Sequence, residues 1–108
     1  METKSLSEST ICCFGDSTTW GDNGCSGGGN DISWTSHLGA LLGGAVVENF
    51  GIKGSRIAIK ADRTDSFVER LDGIDDAADI YIVFGGVNDF SRNVPLGELG
   101  STDVHEFY

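Results

Sequence analysis

The chain has 108 residues, enough for one domain and not two. Seven Lys and Arg against 17 Asp and Glu give a formal net charge of −10, which repels phosphate backbones and anionic lipid and argues against nucleic acid or a membrane surface as partner. A hydrophobic content of 39% suits a packed core, and sixteen glycines with one proline point to tight turns rather than disorder.

The opening "METKSLSEST" reads as a polar lead-in over residues 1–10. It has no apolar h-region, so no signal peptide is read there, and no stretch approaches the length of a membrane span. A cytoplasmic location without membrane insertion is the expectation. Residues 11–14 form a short apolar run, read as a buried strand. Cys12 and Cys13 lie in it, and with Cys25 they make an odd count lacking any Cys-x-x-Cys spacing. That is neither a disulfide framework nor a zinc site, and cysteines in an apolar run act as small buried hydrophobes. "GDNGCSGGGND", residues 21–31, is a glycine-rich loop too long for a turn.

A helix is predicted next, capped by Asp31, with Trp34, Leu38, Leu41 and Leu42 on one face and Gly43 and Gly44 ending it. Residues 45–50 read as a second strand, stopped by "GIKGSR". Ser66 and Glu69 have capping-box spacing and open a second short helix with Phe67, Leu71 and Ile74 on its apolar face. Residues 80–84 are unbroken apolar, as in a parallel strand covered on both faces. A polar loop containing Pro95 is read after Val87.

This alternation predicts an α/β domain, a parallel sheet with helices on both faces. In such sheets chemistry collects in loops at the carboxyl ends of strands. Three stretches fall there. Ser17, in "CCFGDSTTWG", follows a strand end, where a serine is either an exposed nucleophile or a turn and cap residue. Gly51 and Gly54, in "NFGIKGSR", let backbone approach a neighbour closely, as an oxyanion donor or as a plain strand-to-helix turn. Asn88, in "GGVNDF", carries two side-chain N–H donors and is also a common turn residue.

Together the three blocks resemble the SGNH hydrolases, the GDSL-type esterase and lipase superfamily. The resemblance covers about residues 11–108, and Trp34 fits the family's pattern on the helix after the first loop. It implies a three-layer αβα, flavodoxin-like sheet in which this chain supplies strands in the order 2-1-3 and is truncated after the third. Residues 11–108 would be the N-terminal part of such a domain. It also implies acyl transfer without metal or cofactor. Ser17 would attack an ester carbonyl of an acylated small molecule or carbohydrate. The N–H groups of Ser17 and Gly54 and the Asn88 amide would hold the oxyanion.

The family's base comes from a later Asp-x-x-His block, which has no counterpart here. Asp103 and His105 stand two apart, not three, and too soon after the third block, and His37 sits in the first predicted helix. The third strand would be an apolar open edge. Two other readings stand beside the esterase: a ligand-binding module on the same fold, and an inactive remnant that needs a missing segment. Nucleotide binding is weak, because neither Gly-x-x-x-x-Gly-Lys-Ser/Thr nor a strand followed by Gly-x-Gly-x-x-Gly occurs. The 21–31 loop, with Asp22 and Asn23, is expected to line the alcohol side of the site.

Overall fold

A computed structural model describes residues 5–108; the first four residues of the expected lead-in lie outside the described residues. Three parallel strands form one sheet: β1 (Thr10–Gly15), β2 (Val46–Gly51) and β3 (Ile80–Phe84), in the order β2-β1-β3. The first strand is therefore the middle one. Phe14 lies opposite Phe50 on one side and Val83 on the other. The α/β class and the 2-1-3 order match the expectation.

Strand alternation divides the core into two faces. Ile11 and Cys13 point to one face, where Trp34, Leu38 and Leu42 pack with Val47, Ile80 and Ile82. This is the face of α2 (Trp34–Leu41). Phe14 points to the other and stacks on Phe67, with ring centroids 4.6 Å apart. Phe67 opens α3 (Phe67–Arg70), so helices lie on both sides of the sheet. Two further single-turn helices, α1 (Ser17–Trp20) and α4 (Val87–Ser91), leave β1 and β3 directly.

Four details of the helices depart from the sequence reading. The cap of α2 is Ser33, whose Oγ accepts from the Thr35 N–H, while Asp31 belongs to a 3-10 turn, Asn30–Ile32. Ser33 wins because its hydroxyl also donates to the Thr19 carbonyl of α1 at 2.7 Å, a buried contact Asp31 does not make. Leu41 is 80% exposed, because the helix ends there and Leu42 takes its place against the core. The capping box of α3 is formed as expected, but the helix tightens to 3-10 geometry over Leu71–Gly73, which leaves Leu71 exposed. The stretch after Val87 begins as helix α4 rather than as loop.

β3 is an open edge with one bare face, not a strand covered on both sides. On that face Val83 is 62% exposed and Tyr81 is also exposed; Phe84, at the strand end on the opposite face, is exposed too. Among the described residues no helix is long and apolar enough to cross a membrane.

Candidate active site

The carboxyl ends of β1, β2 and β3 lie side by side, so the chain leaving each strand meets its neighbours. Gly15 sits opposite Gly51 and Phe84. Asp16 then caps α1, its Oδ1 accepting from the Thr18 N–H at 3.0 Å. Ser17 is the first residue of that helix and is half-buried. First-turn N–H groups have no partner within their own helix. Among the described residues, none accepts a hydrogen bond from the Ser17 N–H or pairs with its Oγ.

The second stretch packs on the first. Asn49 donates through Nδ2 to the Thr19 carbonyl at 2.8 Å and accepts from the Gly51 N–H at 2.8 Å. A Cβ on Gly51 would lie 2.2 Å from the Trp20 nitrogen, so only glycine permits this approach. Lys53 extends over the Trp20 ring at 4.9 Å, its ammonium 3.7 Å from an Asp22 carboxylate oxygen. Gly54 has φ +78°, a conformation that costs other residues about 1–2 kcal/mol. No described residue accepts from its N–H either. Arg63 holds the turn from outside, donating to the Lys53 carbonyl at 2.7 Å and pairing with Asp65.

The third stretch locks onto the second. Asn88 Nδ2 donates to the Ser55 carbonyl at 2.9 Å, which uses one of its two N–H groups. Asp89, 2% exposed, accepts from the Ile57 and Ala58 N–H groups at 2.9 and 3.0 Å. Asp16 and Thr18 share a depression of about 290 Å³ with Phe84, Gly85 and Val87, so the first and third stretches also meet. A hollow of about 580 Å³ lies along α4 and includes neither Ser17 nor Gly54 in its lining.

The structure thus gathers the elements bearing Ser17, Gly54 and Asn88 at one end of the sheet. Neither histidine is hydrogen-bonded to any of these three residues. His37 is exposed on α2. His105 pairs through Nδ1 with Asp103 Oδ1 at 3.1 Å, both side chains more than half exposed. The His105 backbone N–H and ring hold the Asp103 carboxyl below its ordinary range. Cys12 and Cys13 take no part: burial pushes both thiols up, Cys13 to about 11. Among the described residues no cluster of side chains fits a metal ion.

Arg70 was not picked out by the sequence reading. Its guanidinium donates to the Phe50 carbonyl at 2.8 Å, the Gly15 carbonyl at 3.0 Å, Ser55 Oγ at 2.8 Å and the Asp65 carbonyl at 3.0 Å. It lies over the Phe14 and Phe67 rings, 4.7 and 5.3 Å from their centroids. Its only sequence signal is a basic residue closing a capped helical turn, which reads as an ordinary surface charge.

Residues 13–105 match the GDSL-like lipase/acylhydrolase family. Among curated proteins none matches. One solved crystal structure is 96% identical over 97% of this chain, with a TM-score of 0.94. A second, of a protein from Lactobacillus plantarum, is 32% identical over 98% of this chain, with a TM-score of 0.73. The chain spans 48% and 46% of those two longer chains, about half of each. On the family match, the three-strand fold and the arrangement of its loops, the chain belongs to the GDSL-like lipase/acylhydrolase family.

Proposed function

We propose that residues 11–108 carry the nucleophile and oxyanion donors of a serine esterase that acts on small acylated molecules or acylated carbohydrates. Ser17 Oγ attacks the ester carbonyl. The Ser17 and Gly54 N–H groups and the second Asn88 N–H receive the oxyanion, and water later releases the acyl group from Ser17. The observation that carries this reading is the convergence of three strand-end turns at which these donors meet no acceptor among the described residues. The chemistry calls on no metal or cofactor. Trp20, Asp22 and Lys53, packed together at the rim of the first two turns, are the residues proposed to meet the alcohol portion.

A base is required for turnover and belongs, in this reading, to the half of the domain not represented in these residues. The exposed Asp103–His105 pair favours a second reading for the 108 residues taken alone: a fragment with ester-binding donors and only residual catalysis.

The test joins these 108 residues to the second half of the 96%-identical chain and measures hydrolysis of 4-nitrophenyl acetate. Ser17→Ala is expected to lower kcat by about 10⁴-fold or more and to abolish labelling by a fluorophosphonate. Undiminished turnover in Ser17→Ala would remove the proposal.

A further inference from the structure

The contacts of Arg70 cross the boundaries between the site's parts. Gly15 is two residues before Ser17, and Ser55 directly follows Gly54. Arg70 Nη2 bonds to both, at the Gly15 carbonyl and at Ser55 Oγ. Nη1 holds the Phe50 carbonyl at the end of β2. Ser55 is fully buried and passes the connection on, because its carbonyl accepts from Asn88. One side chain therefore touches the turn of the nucleophile, the turn of the oxyanion N–H and the residue that holds the amide donor.

The acceptors are all uncharged. The nearby carboxylate, Asp65, is engaged bidentately by Arg63, with Nε–Oδ1 at 2.9 Å and Nη2–Oδ2 at 2.5 Å. A guanidinium half-buried over two adjoining phenylalanine rings, with its donors engaged by carbonyls and a hydroxyl, is costly to keep for stability alone. Its planar fork fixes several acceptors at once, which a flexible ammonium does not do.

We propose that Arg70 is a positioning residue of this site, setting the separation between Ser17 and the Gly54 N–H by bridging Gly15 and Ser55. The proposal rests on the reading of Ser17 as nucleophile and of Gly54 and Asn88 as oxyanion donors. Arg70 touches no substrate. Losing it shifts one donor relative to the serine, and displacements of about 1 Å cost about 10²-fold in rate. The loss falls on the tetrahedral stage, where the donors are needed most, and not on ground-state binding.

The experiment uses the joined full-length chain and compares Arg70→Lys and Arg70→Met with the parent on 4-nitrophenyl acetate. Both are expected to lose about 10²-fold in kcat while KM moves by less than about threefold. Inhibition by phenylboronic acid, which forms a tetrahedral adduct at a nucleophilic serine, should weaken in parallel. Ser55→Ala guards against misfolding of the Arg70 variants. It removes one bridged acceptor, keeps the carbonyl for Asn88, and should lose kcat in the same direction by about tenfold.

Full kcat in folded Arg70→Lys overturns the proposal, as does an unchanged boronic acid affinity in both Arg70 variants. Ser17→Ala in the same chain separates the two failures. If it is inactive while Arg70→Lys is fully active, only the positioning role falls; if it is active, the esterase reading falls as well.

Discussion

Replacing Asn88 separates its two duties. One Nδ2–H holds the Ser55 carbonyl at 2.9 Å, and Ser55 is fully buried. Asn88→Ala leaves that carbonyl without its donor, a loss of about 1–3 kcal/mol of stability. In a domain of about twice this length, each kcal/mol is about 2–4 °C in Tm, so a fall of a few degrees to about 10 °C is expected. The second N–H is the proposed oxyanion donor, and its loss costs about 10²–10³ in kcat, or about 2.7–4 kcal/mol at the transition state. Asn88→Asp keeps the shape but turns a carboxylate toward both the Ser55 carbonyl and the developing oxyanion. It should be slower than Asn88→Ala at neutral pH. The assay is initial-rate hydrolysis of 4-nitrophenyl acetate by the joined chain, well below each variant's Tm, beside thermal unfolding. If folded Asn88→Ala keeps kcat within about fivefold of the parent while its Tm falls, Asn88 only ties loops together and the oxyanion assignment is wrong.

Two other outcomes follow from contacts elsewhere in the fold. Cys25 is exposed while Cys12 and Cys13 are buried with raised thiols, so Ellman's reagent should titrate one thiol rapidly in the native chain and three after unfolding; rapid reaction of a second thiol in folded protein would contradict the core packing. Hydrogen bonds from Arg63 hold Asp65 below its usual range, and those from Arg56 do the same for Asp62. The folded state therefore binds fewer protons than the unfolded one. This contribution is complete above the unfolded carboxylate pKa of about 3.9 and is lost as pH falls through the folded values. Urea midpoints should drop as pH falls below about 4, and Asp65→Asn should flatten that drop; an equal drop in the variant would place the acid sensitivity elsewhere.

Strands and turns were legible because their signals are local. The apolar runs at 11–14 and 80–84 and the Ser66–Glu69 spacing each occupy a few neighbouring residues, and the structure has an element at each. The cap of α2 is not decided locally: Asp31 and Ser33 are both good caps, and Thr19, fourteen residues from Ser33, makes the choice. Helical spacing puts Leu41 and Leu71 on buried faces, but their helices end or tighten within a turn. Ser17, Gly54 and Asn88 stood out because each follows a strand end with glycines nearby. Arg70 did not, since its partners are backbone carbonyls and a hydroxyl dispersed over three segments, and no spacing within the chain records that.

The middle position of β1 also bears on how the chain folds. Its two ladders join Ile11 to Val47 and Ile11 to Ile80, so the earliest strand must wait for both later ones. Each pairing closes a long loop before any contact repays the lost entropy, which is the condition for slow folding. Until residue 84 has been synthesised, β1 has at most one partner, and its buried Ile11, Cys13 and Phe14 have only part of their cover. A chaperone that recognises short extended apolar segments would find β1 available for longer than either of its neighbours.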